Sequence, residues 1–285
     1  MNWEETIKFI RTKKKYKELV EKAYFEEDLQ LNVERFRKSE EFLETLHILK
    51  SLNKKIVDIL DIGSGNGISA IAFALEGYNV TCIEPDPSET IGAGAIKKLK
   101  QIYNLDNLFV FQKFAEEINF PDASFDLVYA RQCMHHALEL NKFVSEASRV
   151  LKKKGIFFTV RDHVIYNTKD KEWFLKNHPL QKFYGGENAY TSLEYKSAIA
   201  NAELQLIKEI KHFDSVINYF PLSKKIKELD QFELKKHVKD QFIKKFGDYG
   251  ILLFILEIYI YFKIKTLNFN ETKIPGRMYS YLAFK

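Results

Sequence analysis

Between Ile56 and Val160 the chain alternates short apolar, β-rich runs with helical stretches, and this alternation constrains the fold more than any other feature. Ile56–Leu60, Tyr78–Ile83, Leu108–Phe111, Phe125–Ala130 and Ile156–Val160 predict five strands. Ile68–Leu75, Ile91–Tyr103 and Leu140–Leu151 predict the helices between them, the last ending in the basic turn Lys152-Lys153-Lys154 and Gly155. Runs this apolar are buried on both faces, which calls for parallel strands joined by helical crossovers. The expected fold is α/β: a doubly wound, mostly parallel, seven-stranded sheet, completed by strands at Leu204–His212 and Met278–Phe284. Helices are expected over 3–24 and after Ser39, which caps an acidic first turn at Glu40 and Glu41. Helix character returns over Thr191–Ala202 and Pro221–Lys265. The expected organisation is N-terminal helices (1–54), a ligand-binding core with acceptor loops (55–214), a helical insertion (215–270) and a final core strand (271–285).

Cys82 and Cys133 form no CxxC pair, so neither a disulfide nor a zinc framework is expected and a reducing cytosol fits. Met1–Glu5 opens no apolar run of the kind a signal peptide needs. From Pro221 onward there are 13 Lys and Arg against 7 Asp and Glu, so the net charge of +5 resides in this segment. It reads either as a solvated helical face or as a surface for a membrane or another anionic partner. Ile251–Phe262 is very apolar, but at 1.5 Å per residue it spans roughly 18 Å, short of the ~30 Å hydrocarbon core. Two readings stand: a buried core helix, or an interfacial helix flanked by Lys244, Lys245, Lys263 and Lys265.

The first strand leads into Asp61-Ile62-Gly63-Ser64-Gly65-Asn66-Gly67. Such a turn lets a ligand approach bare backbone at a helix N-terminus. A dinucleotide fingerprint would place glycine at 68, where this chain has Ile68. The second strand ends in Glu84, 23 residues after Asp61, where a carboxylate can accept both hydroxyls of an adenosine ribose.

Leu60–Gly67 resembles motif I of the class I S-adenosylmethionine-dependent methyltransferases, and Glu84-Pro85-Asp86 resembles their acidic second-strand motif. Ala115-Glu116 through Val128 is similar to their adenine-side loop and fourth strand, and Arg149–Gly155 to the turn before strand five. Many relatives carry Asp where this chain has Phe114, which leaves adenine to backbone, stacking or Glu116. The resemblance implies a Rossmann-like methyltransferase fold with S-adenosyl-L-methionine as cofactor. The residues expected to hold it are Asp61, Gly63, Ser64, Gly65, Gly67, Glu84, Pro85, Asp86, Ala115, Glu116 and Arg131, with Arg35 either pairing with its carboxylate or an ordinary surface arginine.

The loops after strands four and five, Arg131–His136 and Arg161–His163, are expected at the carboxyl ends of the strands, where ligands of open α/β sheets lie. A poorly nucleophilic hydroxyl acceptor needs a base, and neutral histidine suits that task. The catalytic candidates are His135 first, His163 next, and Asp162 as orienting or acceptor-binding group. His136, Arg161, His178, Tyr184, Glu187, Asn188 and Tyr190 are candidate acceptor-binding residues. The His135-His136 pair finds no third ligand at convincing spacing, so no metal is expected. Tyr184-Gly185-Gly186-Glu187-Asn188-Ala189-Tyr190 and Pro275–Ala283 also resemble a bacterial methyltransferase subfamily associated with polysaccharide and surface-glycan gene clusters.

The expected function is O-methylation of a sugar or glycan-linked small group by a cytoplasmic enzyme, with a phosphate-like oxygen as a variant. The expected partner is a small-molecule or glycan-precursor acceptor, with no nucleic acid and with peripheral membrane contact through 221–265 as an option. The alternatives are methylation of RNA or protein, or a non-catalytic cofactor-binding interaction subunit.

Overall fold

The computed structural model describes residues 1–221 and 271–285, and between them only positions 243, 256 and 258. The candidate helical and interfacial segments within 221–265 otherwise lie outside the described residues. No helix among the described residues is long and apolar enough to cross a membrane.

Four helices precede the sheet: α1 (Trp3–Arg11), α2 (Lys17–Lys22), α3 (Leu29–Arg37) and α4 (Glu40–Ser51). Ser39 caps α4 by accepting from the Phe42 N–H. Then β1 (Asp58–Ile62), α5 (Ile68–Leu75), β2 (Asn79–Ile83), α6 (Ala93–Ile102), β3 (Leu108–Phe111), β4 (Phe125–Arg131), α7 (Leu140–Val150) and β5 (Leu151–Ile165) build the parallel core. After it come α8 (Thr168–Asn177), α9 (Gln181–Tyr184), β6 (Tyr190–Thr191), α10 (Ser192–Asn201), β7 (Gln205–Ile210), α11 (Val216–Tyr219) and β8 (Met278–Phe284). The sheet runs β3-β2-β1-β4-β5-β8-β7, with the two-residue β6 pairing with β5 off this path. β1 to β5 are mutually parallel, and β8 is antiparallel to both β5 and β7. This is the doubly wound, mostly parallel α/β sheet that the alternation of strands and helices predicts.

Apolar side chains fill both faces. Phe42, Phe73, Tyr129 and Phe158 pack against α3–α5 on one side, and Phe143, Val144, Phe157 and Tyr195 join α7 and α10 on the other. A third cluster places Ile7, Ile10, Tyr16 and Val20 of the N-terminal helices against Ile91 and Leu180.

Two boundaries differ from the sequence reading. Lys152–Gly155 is not the end of a helix but an irregularity inside β5: Phe125 pairs with Leu151 and Leu127 with Ile156, so four residues lie opposite one. β5 also continues past Val160 through Arg161, Asp162 and His163, all three buried. Hydropathy ends the strand at 160, whereas tertiary partners described below make the burial of these polar residues tolerable.

Candidate active site

The carboxyl ends of β1 and β2 carry two buried carboxylates. Asp61 is fully buried; its Oδ2 accepts from the Ser69 hydroxyl at 2.8 Å, while Oδ1 has no hydrogen-bond partner. Burial raises its pKa to about 6. Glu84 accepts the N–H of Gly65 at 2.7 Å and of Asp86 at 2.9 Å. Burial raises it to about 7 against these two backbone donors. Gly63, Gly65 and Gly67 all have positive φ (64°, 54° and 84°), and a Cβ on Gly63 would lie 2.2 Å from Cys133 Sγ. The turn is therefore built on backbone that only glycine adopts without strain, pressed against the loop that leads to His135. The Ser64 hydroxyl donates to the Asp61 carbonyl, and the Asn66 amide to the Tyr24 carbonyl at 2.7 Å, tying the loop to the N-terminal helices.

Around this turn, Asp86 accepts from the Ser88 N–H at 2.7 Å and the Pro85 carbonyl from the Gln112 amide at 3.2 Å. Half-buried Ala115 precedes Glu116, which accepts from the Leu138 N–H at 3.1 Å. Phe114 is exposed beyond it.

The arginines are engaged by groups of the protein itself. Arg131 binds Glu41 through Nε at 2.6 Å and Nη2 at 3.1 Å, with Phe36 beneath its guanidinium. Arg161 lies 3.6 Å from the same carboxylate and donates to the carbonyls of Ile217 and Phe220. Glu41 itself is fully buried, and the two guanidinium charges hold its pKa below the usual carboxylate value despite that burial. Arg131 and Arg161 thus form a buried ion network with a residue read in the sequence only as an acidic helix start. Arg35 donates to the Glu21 carbonyl at 2.8 Å and lies over Tyr24. Neither Arg131 nor Arg161 hydrogen-bonds the glycine loop or the histidines.

The histidines converge. His135 sits on the short helical turn Met134–His136, buried, with Nδ1 3.1 Å from Asp162 Oδ1. The His135 backbone N–H donates to the same oxygen at 3.0 Å, and the Thr159 hydroxyl donates to Oδ2. Burial raises Asp162 to about 7, opposed by the Thr159 hydroxyl and the backbone N–H groups of 133–135. Burial likewise pushes His135 well below its ordinary value and His163 down to about 3, so both rings are neutral near pH 7. His163 Nδ1 is 2.9 Å from the Gly276 carbonyl, and Tyr195 donates to the His163 carbonyl. The ring centroids of His135 lie 4.1 Å from His136 and 4.7 Å from His163, and His178 is 5.7 Å from His163.

The block 184–190 closes over this cluster. Glu187 Oε2 is 3.9 Å from His135 Nε2, and its Oε1 is bound by the Tyr184 hydroxyl with His178 Nδ1 3.5 Å away. Exposed His136 reaches the Gly186 carbonyl at 3.1 Å, and Tyr190, beside half-buried Asn188, donates to the Ala137 carbonyl. Trp3 packs on Tyr184 and Phe9 on Phe183, so α1 braces α9. A surface cavity of about 470 Å³, lined by Asp58, Asn79 and Ser124, lies at the opposite ends of the strands.

Residues 60–159 match the methyltransferase domain family. An uncharacterized methyltransferase of Bacillus subtilis, YcgJ, is 36% identical over 112 residues, covering 37% of this chain and 40% of that protein. The ubiquinone/menaquinone biosynthesis C-methyltransferase UbiE of Rickettsia akari is 30% identical over 161 residues, 55% of this chain and 62% of that protein. The chain thus spans about half the length of these curated relatives. The crystal structure of YcgJ shares the fold, with a TM-score of 0.52 at 23% identity over 85% of this chain and 98% of that one.

Proposed function

We propose that the chain is an S-adenosylmethionine-dependent methyltransferase acting on an oxygen acceptor of the sugar or glycan-linked class. The observation that carries the cofactor is the pairing of Asp61 and Glu84 across the left-handed glycine turn, with Asp61 Oδ1 buried and unpartnered. An unsatisfied buried carboxylate oxygen is costly unless a ligand supplies a donor. Glu84, held by two N–H donors, has lone pairs left for a ribose diol. The cofactor supplies a methyl carbon on a positively charged sulfur.

With the cofactor bound, His135, oriented by Asp162, would take the acceptor hydroxyl proton on Nε2, as a base weakened by its burial. The oxygen would then form the O–C bond to the methyl carbon that the cofactor, held by Asp61 and Glu84, would supply, with the C–S electron pair returning to sulfur. Most of the rate comes from alignment, which the braced loops supply. The sugar class is supported by the polar groups of half-buried Glu187 and Asn188 in the loop between Tyr184 and Tyr190. A carbon acceptor is the second reading, favoured by the likeness to the C-methyltransferase of Rickettsia akari.

Calorimetry with S-adenosylhomocysteine tests the cofactor assignment. Hydrogen bonds to charged groups contribute about 1.5–3 kcal/mol each, so Asp61→Ala or Glu84→Ala should weaken binding about 10–100-fold. Unchanged affinity in both variants rejects the site.

A further inference from the structure

Three side chains far apart in sequence, His135, His163 and Glu187, each bring one ligand atom to within 4.8 Å of the others. Both imidazoles are oriented from behind. The Gly276 carbonyl can only accept, so His163 Nδ1 carries the hydrogen and its Nε2 is a bare lone pair. Asp162 stands at His135 Nδ1 in the same way, leaving Nε2 facing Glu187 Oε2. A carboxylate or carbonyl behind each ring is the usual outer arrangement of metal-ligating histidines. Gly276 is fixed there: its φ is 69°, and a Cβ would lie 2.6 Å from the Phe174 ring. Tyr184 donates to Glu187 Oε1, leaving Oε2 for a ligand, while His178 Nδ1 is buried with no hydrogen-bond partner.

We propose that His135, His163 and Glu187 bind one divalent transition-metal ion of the zinc class, leaving a coordination position open for the acceptor oxygen. Two imidazoles and one carboxylate with an open position are a donor set of catalytic zinc sites. Metal–ligand bonds of about 2.0–2.1 Å put tetrahedral ligand atoms about 3.3 Å apart, so the 3.9 Å separation of His135 Nε2 and Glu187 Oε2 closes with a shift of about 0.6 Å. The role in transfer rests on the proposed methyltransferase reading and changes the part of His135 from base to ligand. The ion lowers the pKa of a bound hydroxyl, whose proton passes to water. The oxygen then forms the O–C bond as the C–S bond breaks and sulfur leaves as a neutral thioether. The sequence reading finds no third ligand because His163 and Glu187 lie 28 and 52 residues beyond His135.

The test uses the whole chain, stripped with a chelator and titrated with Zn(II), with Co(II) as a spectroscopic probe. One ion per chain is expected, with the intense visible bands of low-coordinate cobalt. Loss of an outer partner costs 10–100-fold in affinity, so Asp162→Asn should weaken binding by about that factor, and His163→Ala or Glu187→Gln by more. Exposed His47→Ala should bind like the parent. Absence of a bound ion in the parent, or equal affinity in His163→Ala and Glu187→Gln, overturns the site. S-adenosylhomocysteine binding measured on the same stripped protein separates the two readings. A parent that binds S-adenosylhomocysteine but takes up no added ion removes only the metal, and one that takes up the ion but binds no S-adenosylhomocysteine removes only the transfer reaction.

Discussion

Glu84 makes the proposed cofactor affinity depend on pH with a defined sign. Its folded value of about 7 lies above the ordinary carboxylate value, because burial opposes its charge. Its contribution to the ligand-free fold is therefore full below about pH 4.3 and is lost as pH rises through about 7. A ribose diol donates more strongly to the ionised form, in which both oxygens accept and the hydrogen bonds are charge-assisted. Ionisation rises from about one-tenth at pH 6 to about nine-tenths at pH 8, so S-adenosylhomocysteine should bind more tightly at pH 8, by up to about tenfold. Binding at pH 6 should also release a proton, seen in calorimetry as a heat that changes with the buffer's ionisation enthalpy. Asp61, raised to about 6, acts in the same direction at lower pH. Glu84→Gln separates them, leaving only the lower-pH part of the dependence. Equal affinity of the parent at pH 6 and pH 8, with no buffer-dependent heat, refutes the reasoning.

Two predictions concern the scaffold. Glu41→Gln leaves two buried guanidinium groups without their carboxylate and should cost about 3–5 kcal/mol. With an unfolding entropy of about 2.1 cal/mol/K per residue over 285 residues, calorimetry should record a melting point about 5–8 °C lower; no change would mean the network is replaceable by water. Gly63→Ala, whose Cβ meets Cys133 Sγ at 2.2 Å in a left-handed turn, should cost about 2–4 kcal/mol in urea unfolding. Gly65→Ala, with only the Ile91 carbonyl near at 4.0 Å, should cost about 1–2 kcal/mol; equal losses would show that backbone strain alone sets both.

What the sequence discloses follows the range of the interactions involved. Helix caps and strand cores are local, so Ser39, the Ile68–Leu75 helix and the run at Leu108 are readable from neighbours in the chain. The glycine turn and Glu84 are legible for the same reason, since a fixed βαβ unit sets their spacing. Arg131 is instructive in the other direction. Its place at the end of β4 suggests a ligand contact, while the ion pair it makes is with Glu41, 90 residues earlier in the chain. The end of β5 fails similarly, because hydropathy counts Arg161 and Asp162 as surface residues while Glu41 and Thr159 satisfy them inside. The convergence of His135, His163 and Glu187 depends on three separate loops and has no signature in spacing.

The place of β8 between β5 and β7 bears on how the chain is made. Among the described residues β7 has no sheet neighbour other than β8, and β5 meets β8 along its second edge. Translation proceeds at about 5–20 residues per second, so the 68 residues from Ile210 to Met278 take about 3–14 s to emerge. Throughout that interval the backbone groups along one side of β5 and both sides of β7 are open templates for any other extended segment. A chaperone that grips extended chain therefore meets two strand edges on the nascent protein that the finished sheet no longer offers.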